Sequence, residues 1–234
     1  MALQNILPDP SNQITSQGTA NAGSYGPGFA SVKINSTQKI MRDRTNSGIV
    51  TSRAQSYHMW SIDITYNPMT REEFDPIYSF LLEKQGSFKP FKVSLPQYKN
   101  NENRNIIASA SAYTAGKSQL LVDLQSDNND AKVGDLFHIT DPGNSNHTKA
   151  YKIVRIETNG NLSGADDDTA DDPDSGEMRI TFVPPLQNTV ETSNSFINLT
   201  TPLIQVIQKG DVQEYSLNTE NLYSFSLKLE EACY

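Results

Sequence analysis

The clearest strand pattern in the sequence is Tyr57-His-Met-Trp-Ser-Ile-Asp-Ile-Thr-Tyr66, in which large apolar residues recur at every second position from Trp60 onward. Successive side chains of a β-strand point to opposite faces, so alternation over these ten residues predicts a strand with one buried face. Asn67-Pro68 then ends the strand. The face that we expect in the core carries His58, Trp60, Ile62, Ile64 and Tyr66.

One helix is predicted, over residues 70–85. Thr70 and Glu73 have the spacing of a capping box, in which two residues satisfy unpaired N–H groups at the start of a helix. Pro76 has no N–H and lies beyond the first turn, so we expect a kink there, or a helix that restarts with Asp75 as its cap. The apolar stripe that would face the core consists of Phe74, Ile77, Tyr78, Leu81 and Leu82.

Short β-strands account for most of the remaining pattern. Residues 97–105 are polar and have the composition of a linker. Beyond it, turn residues separate five candidate strands, a spacing that is typical of a small barrel or sandwich. These strands are 106–112, 119–124, 135–140, 150–157 and 179–183. Longer alternating strands return at 203–207, 212–217 and 223–229.

The sequence therefore predicts a mainly β protein with one short helix, built from two β domains. Residues 31–105 and 191–234 form the first domain, and residues 106–190 form a small β-barrel inserted into it. Residues 1–30 are rich in Asn, Gly, Ser, Pro and Gln. Such a segment is either a loose terminus or an extended arm that becomes ordered on a neighbouring subunit.

Composition excludes several classes of protein. The 234 residues include 19 Lys and Arg against 27 Asp and Glu, for a net charge of −8. This charge, without a basic cluster, argues against specific nucleic-acid binding. The sequence has no run of about 18 apolar residues that could span a membrane, and its first residues lack the pattern of a signal peptide. The single cysteine, Cys233, excludes an internal disulfide and a cysteine-based zinc site.

Acidic residues are concentrated in one place. Residues 166–177 hold seven of them and no basic residue, so the rest of the chain carries a net charge of only −1. Position 6 of a calcium-binding EF-hand loop must be glycine, but here it is Asp171, so a solvated loop is the simpler interpretation. Positions 1, 3, 9 and 12 of such a loop would be Asp166, Asp168, Asp174 and Glu177.

No catalytic or cofactor motif is complete. Ala115-Gly116-Lys117-Ser118 matches the end of a phosphate-binding loop, but Ser111 stands where that loop needs its first glycine. The histidines, at positions 58, 138 and 147, lack the spacing of a metal site or a catalytic pair. We therefore predict no catalytic residue, no cofactor and no metal, and we predict that the protein is not an enzyme.

Three blocks of the sequence resemble a family of tailed-phage structural proteins, which includes distal tail and baseplate components. The first block contains Ser52-Arg-Ala-Gln-Ser-Tyr-His-Met-Trp60, Pro68-Met-Thr-Arg-Glu-Glu-Phe74 and Phe91-Lys-Val-Ser-Leu-Pro96. The second contains Val133-Gly-Asp-Leu-Phe137, Ala150-Tyr-Lys-Ile-Val154 and Phe182-Val-Pro-Pro-Leu186. The third contains Val212-Gln-Glu-Tyr215 and Leu222-Tyr-Ser-Phe-Ser226.

This resemblance implies a virion structural protein of a phage tail or baseplate, with a tail-tube-like β-sandwich or barrel as its fold. It implies that copies of the chain join head to tail in a six-fold ring around the tail axis, beside neighbouring tail or baseplate proteins. The chain would be made in the host cytoplasm and located in the virion tail. The residues that we expect to take part in assembly are Arg53, Gln55, Arg71 and Glu72.

Two other functions stay open at this point. One is a receptor- or carbohydrate-binding module on the virion, in which the inserted barrel contacts the host. The other is a glycan hydrolase, because two carboxylates that act together need not be close in sequence. Calcium-dependent binding to host cells would favour the first, and loss of activity when carboxylates are replaced would favour the second.

Overall fold

The computed structural model describes residues 5–10, 12–14, 20–22, 26–99, 104–107, 113–124, 130–142, 147–159, 173–191, 195–211 and 214–232, without the side chains of 12–14, 20–22, 54–57 and 104–106. One α-helix, α1 (Arg71–Glu83), one 3-10 helix (Pro96–Tyr98) and fourteen strands lie within them, so the predicted mainly β fold is confirmed. The strands are β1 (Asn12–Ile14), β2 (Ala20–Ala22), β3 (Phe29–Arg44), β4 (Val50–Tyr66), β5 (Phe91–Ser94), β6 (Arg104–Ile106), β7 (Gln119–Asp123), β8 (Leu136–Thr140), β9 (Ala150–Thr158), β10 (Glu177–Val183), β11 (Phe196–Asn198), β12 (Leu203–Gln208), β13 (Tyr215–Leu217) and β14 (Tyr223–Glu231).

The chain divides into two compact units. Met1–Val93 and Gln205–Ala232 form the first, and Ser94–Ile204 forms the second. The second unit is therefore inserted in the sequence of the first. The predicted bounds of the inserted domain, 106–190, stay a prediction.

The first unit is built on a sheet with the strand order β3-β4-β14-β12-β5. β4 pairs antiparallel with β3 on one side and, over Ser61–Thr65, with β14 on the other. β13 pairs with the first three residues of β14. The alternation along β4 predicted its buried face correctly, although His58 is only half-buried. The buried residues of that face are Trp60, Ile62, Ile64 and Tyr66.

Helix α1 covers the apolar face of this sheet. The ring of Phe80 lies 5.5 Å from that of Phe91 on β5, and the ring of Phe74 lies 5.9 Å from that of Phe225 on β14. The apolar residues that recur at helical spacing therefore form a buried stripe along α1. The buried residues of α1 are Phe74, Ile77, Phe80 and Leu81.

The start of α1 agrees with the predicted capping box. The N–H of Thr70 donates a hydrogen bond to Oε2 of Glu73 at 3.0 Å. The helix then runs through Pro76 as one element, so the predicted restart with Asp75 as cap is wrong. A proline in this position removes one backbone hydrogen bond, and the buried stripe of α1 outweighs that loss. A kink within the continuous helix stays a prediction.

The turn after α1 requires a glycine. Gln85 and Gly86 both have positive φ, 56° and 66°, and a Cβ atom at Gly86 would lie 3.1 Å from Oδ1 of Asp211. We predict that Gly86→Ala lowers the free energy of unfolding by about 1–2 kcal/mol, because alanine is strained in the left-handed region and Asp211 must shift. Urea unfolding followed by the fluorescence of Trp60, the single tryptophan, measures this change.

Gly210→Ala is the matched control for this prediction. A Cβ atom at Gly210 has no neighbour within 4 Å, and the φ of Gly210 lies outside the left-handed region. We expect a free energy of unfolding that is unchanged or slightly raised. A loss as large as that of Gly86→Ala would show that neither the backbone angle nor Asp211 is the cause.

Residues 5–9 pack along the edge of the same sheet. The N–H of Leu7 donates to the carbonyl oxygen of Lys92, and the N–H of Lys92 donates to that of Asn5, both at 2.8 Å. These bonds join the segment to β5 in a parallel bridge, and the side chain of Leu7 is buried. This part of the predicted arm therefore lies on its own chain, and the assignment of residues 1–30 as an arm stays a prediction.

The buried hydroxyl group of Tyr66 also contacts the segment of residues 5–9. It donates a hydrogen bond to the carbonyl oxygen of Pro8 at 3.0 Å. Burial, with a further effect from the charge of Asp9, raises the pKa of Tyr66 well above its ordinary value. In the unfolded chain that pKa returns to about 10, so above this pH the unfolded state loses a proton that the folded state keeps.

We therefore predict that the free energy of unfolding falls as the pH rises through about 10. In Tyr66→Phe this part of the pH dependence should disappear, and the lost hydrogen bond should cost about 1 kcal/mol at neutral pH. Urea titrations at several pH values measure both effects. Tyr215→Phe removes the hydroxyl group of a half-exposed tyrosine and serves as the control. A wild-type pH slope in Tyr66→Phe would contradict the prediction.

The second unit is a six-stranded sheet with the order β6-β11-β8-β9-β10-β7. Its first and last strands meet, because Ile107, directly after β6, forms an antiparallel bridge with Val122 of β7. Four of the five predicted strands correspond to β7, β8, β9 and β10, whereas most of the predicted strand 106–112 lies outside the described residues. The core is dominated by the packed rings of Phe137, Tyr151 and Phe182.

Candidate assembly surfaces

Strands β3 and β4 extend as a two-stranded hairpin past the rest of their sheet. Their pairing continues to Arg44 opposite Val50, whereas β14 pairs with β4 only over Ser61–Thr65 in the described structure. At about 3.3 Å per residue, the part of β4 before Ser61 reaches about 35 Å beyond that pairing. We call residues 39–53, which include the connecting turn, the hairpin arm.

The hairpin arm exposes a group of apolar side chains. Their exposed fractions range from 48% to 63%. Single exposed apolar residues are common, but a group of them on one protruding ribbon is typical of a contact surface. A two-stranded hairpin is also only marginally stable in water by itself, so contact with another molecule would stabilise it. These residues are Ile40, Met41, Ile49 and Val50.

The register of the two strands distributes these residues over both faces of the hairpin arm. Alternate residues of a strand share a face, and directly opposed residues of an antiparallel pair do so as well. Both faces combine arginine with apolar side chains. One face carries Ile40, Arg42, Arg44 and Val50. The other carries Met41 and Arg53.

A second apolar surface lies where α1 meets β13. Tyr78 and Leu82 are neighbours on one side of the helix, and the ring of Tyr78 lies 5.5 Å from that of Tyr215. Leu217 shares a face of β13 with Tyr215. Leu82, Tyr215 and Leu217 are 50–53% exposed, and Tyr78 is half-buried. We call these four residues the helix patch; it corrects the expectation that the whole apolar stripe of the helix faces the core.

The two surfaces carry opposite charge. The hairpin arm holds four cations, Lys39, Arg42, Arg44 and Arg53, against the single anion Asp43, for a net charge of +3. The two elements of the helix patch are acidic. Residues 71–84 carry four acidic and two basic groups, for −2, and residues 214–223 carry two acidic groups and no basic one, for a further −2.

The residues predicted for assembly lie on β4 and α1 of the first unit. Arg53 lies on the hairpin arm and is exposed. Arg71 and Glu72 are the first two residues of α1 and are exposed, and Arg71 forms a surface salt bridge with Asp75 at 3.1 Å. Gln55 lies in β4, and its side chain lies outside the described residues. A role of these residues in assembly stays a prediction.

The sequence Ala115-Gly116-Lys117-Ser118 forms a turn that leads into β7. Gly116 has a φ of 93°, and its N–H donates to the carbonyl oxygen of Leu186 at 2.8 Å. A phosphate-binding loop leads into a helix whose N-terminus faces the phosphate. Here a strand begins at Gln119 instead, so the turn is structural.

The histidines make structural contacts. Nδ1 of His138 accepts a hydrogen bond from the N–H of Leu203 at 3.2 Å, and Nε2 of His58 lies 3.0 Å from the hydroxyl oxygen of Ser36. His147 is buried. Among the described residues, no three His, Cys, Asp or Glu side chains are grouped in a way that could hold a metal ion.

Two sequence hypotheses concern residues that the structure does not describe. Asp166 and Asp168 of the acidic loop lie outside the described residues, so the solvated loop stays a prediction and calcium binding stays the alternative to it. Cys233 also lies outside them. In the part of the chain that is described, no helix is long and apolar enough to cross a membrane.

Comparison with known proteins identifies the family. Residues 7–98 match the family described as "Distal tail protein pb9, A domain, N-terminal". The distal tail protein pb9 of Escherichia phage T5 is 30% identical over 158 residues, which cover 67% of this chain and 71% of that protein. The chain belongs to the family of phage distal tail proteins.

As a distal tail protein, the chain is a structural component of the virion tail, associated with other tail proteins. The resemblance that the three sequence blocks carry is thereby confirmed. The matched residues, 7–98, include the hairpin arm and α1. Both elements therefore belong to the part of the chain that this distal tail protein shares with the pb9 family.

Proposed function

We propose that copies of this distal tail protein close into a ring around the tail axis and contact neighbouring tail or baseplate proteins. Six copies is the number that we expect. The hairpin arm is the observation that supports the ring: its end lies about 35 Å past the pairing of β4 with β14, and it exposes apolar side chains. Contact with a second subunit would remove this surface from water.

The edge of the sheet supports the same proposal. In the described structure β3 is the outermost strand of the order, so its outer edge has no partner strand there. An open edge of sixteen residues readily pairs with another chain, and proteins protect such edges. When one surface of a subunit contacts a different surface of the next, the contact repeats and closes into a ring if the rotation fits.

Electron microscopy of purified virions tests this proposal. We expect density for a closed ring of this chain at the tail, and a matching multimer in size measurements of the purified protein would support it. A strict monomer that is absent from virions would overturn the proposal. A virion that contains the chain without a ring would overturn the ring and leave the tail protein.

A shortened chain tests the hairpin arm. Residues 41–53 are replaced by Asn-Gly, the two-residue turn that joins antiparallel strands. We expect the remaining sheet to fold, with Trp60 buried as in the wild type, and the ring to be lost. A ring of normal size from this variant would show that the hairpin arm does not support self-assembly.

A further inference from the structure

We propose that the hairpin arm of one subunit docks on the helix patch of the next copy of the chain. This inference rests on the proposed function, because it needs self-assembly. It adds which two surfaces meet, and it makes the contact heterologous, since the arm and the patch are different parts of the same unit.

Apolar surface is the first observation behind this docking. On the arm, Ile40 and Val50 lie on one face, and on the patch Tyr215 and Leu217 project from β13. All four are about half exposed. Tyrosine is enriched at protein interfaces because a ring buries a large area with few rotatable bonds. Contact between the two surfaces would bury both sets of side chains.

Charge is the second observation. The hairpin arm carries +3, and the two elements that form the helix patch carry −2 each. On the arm, Arg42 and Arg44 share the face of Ile40 and Val50. On the patch, Asp75 lies one helical turn before Tyr78, and Glu214 directly precedes Tyr215. Complementary charge around an apolar centre specifies a partner and penalises wrong ones.

These observations point to a second copy as the occupant. Every chain has one arm and one patch, so each subunit can offer an arm to one neighbour and receive an arm from the other. Two arms in contact would bring positive charge to positive charge, and two patches would bring negative to negative. The head-to-tail contact is the one in which the charges agree, and it is the kind of contact that closes rings.

Charge reversal tests the docking in virions. Variants are supplied to a phage that lacks its own copy of the gene, and infectious particles and ring density are measured. Arg42→Glu with Arg44→Glu makes the arm acidic, and Asp75→Lys with Glu214→Lys makes the patch basic. We expect each pair to reduce infectious particles by more than tenfold, because like charges then face each other.

Combining the reversals should restore assembly. A chain with all four substitutions has an acidic arm and a basic patch, so the charges agree again. Co-expression of the two double variants should also restore assembly, because alternating subunits in an even-numbered ring match at every contact. A partner other than this chain would not be restored by either combination.

A control separates docking from net charge. Lys117→Glu with Lys132→Glu changes the net charge as much as the reversal on the arm, but at exposed positions of the second unit. We expect this control to assemble like the wild type. Melting temperatures of all purified variants show whether a loss of assembly is a loss of folding.

Cross-linking gives a second measurement. Val50→Cys and Leu217→Cys are placed together in a chain in which Cys233, the single cysteine, is replaced by serine. Oxidised virions should then yield a ladder of dimers, trimers and larger multimers. Either cysteine by itself should yield no ladder, because a head-to-tail contact never brings two identical positions together.

The outcomes distinguish this inference from the proposed function. If wild-type virions contain no ring, the proposed function fails and the docking fails with it. If a ring is present but the double variants assemble normally, the docking alone is overturned. It is also overturned if the double variants fold and fail to assemble but the fourfold variant does not restore the ring. Restoration by the fourfold variant, together with the ladder, would support it.

Discussion

Replacement of Phe74 by alanine should lower the free energy of unfolding by about 3–5 kcal/mol. Phe74 is 2% exposed and lies at the centre of an aromatic cluster, so its removal leaves a cavity and also breaks ring contacts. The neighbouring rings, with centroids 4.6–5.9 Å away, belong to Tyr78, Tyr215, Tyr223 and Phe225.

Phe88→Ala is the matched control. It makes the same chemical change in the same unit, but Phe88 is 73% exposed, so we expect the free energy of unfolding to stay within about 0.5 kcal/mol of the wild type. Urea unfolding followed by Trp60 fluorescence measures both variants. Equal losses would show that burial of the Phe74 ring is not what stabilises this unit.

The Phe74 variant also bears on assembly. Tyr78 and Tyr215, two residues of the helix patch, both contact the ring of Phe74. Without that ring, Tyr78 and Tyr215 lose a packing contact that fixes their positions. A variant chain that still folds at low temperature should therefore assemble less well. Phe88→Ala should assemble normally, because Phe88 belongs to neither the hairpin arm nor the helix patch.

The part of the fold that the sequence predicted is the part with a buried face. The alternation at Trp60 and Ile62 and the capping box at Thr70 are local patterns, each with a direct physical cause. Pro76 shows the limit of such patterns: tertiary packing of α1 keeps the helix continuous although the local rule favours a break.

The full length of the hairpin arm could not be predicted, because the arm has no buried face. Most residues of β3 beyond Ile34 are polar, and both faces are exposed, so no apolar alternation marks the strand. The packing of Leu7 against β5 was likewise hidden, because it depends on a pairing across more than eighty residues of sequence.

The helix patch was hidden by a different ambiguity. Helical spacing assigned Tyr78 and Leu82 to the buried stripe, because spacing shows which residues share a side but not how wide the covered side is. The structure shows how much of that side is covered. Tyr215 of β13 lies beside Tyr78, but Leu82 and Tyr215 itself stay in contact with water. The charges of the hairpin arm and of the helix patch can be counted in the sequence, but only the structure shows which elements form each surface.

Arg179→Met in the second unit should lower the free energy of unfolding by about 3–5 kcal/mol. This is the second large effect that we expect. Arg179 on β10 and Glu157 on β9 lie directly opposite each other. Nε of Arg179 donates to Oε2 of Glu157 at 2.6 Å, and the two side chains are only 3% and 2% exposed. Arg155 also lies near this buried carboxylate, at 3.6 Å, but its side chain is partly exposed.

Hydrogen exchange of the β9 and β10 amides, together with calorimetry, measures this loss. Arg71→Met is the matched control, since it removes the same side chain from a salt bridge that is largely exposed. Exposed pairs contribute little, so we expect a change within about 0.5 kcal/mol. Similar losses in the two variants would show that burial of the charge is not what makes Arg179 important.

A double variant separates the value of the pair from the penalty of breaking it. Glu157→Leu combined with Arg179→Met removes both charges and keeps apolar volume at both positions. Because burial of two charges costs about as much as their attraction returns, we expect the double variant to regain most of the lost free energy of unfolding. If it is instead as unstable as Arg179→Met, the ion pair itself stabilises the unit, and the burial of a Glu157 carboxylate that has lost Arg179 is not the reason that the single variant fails.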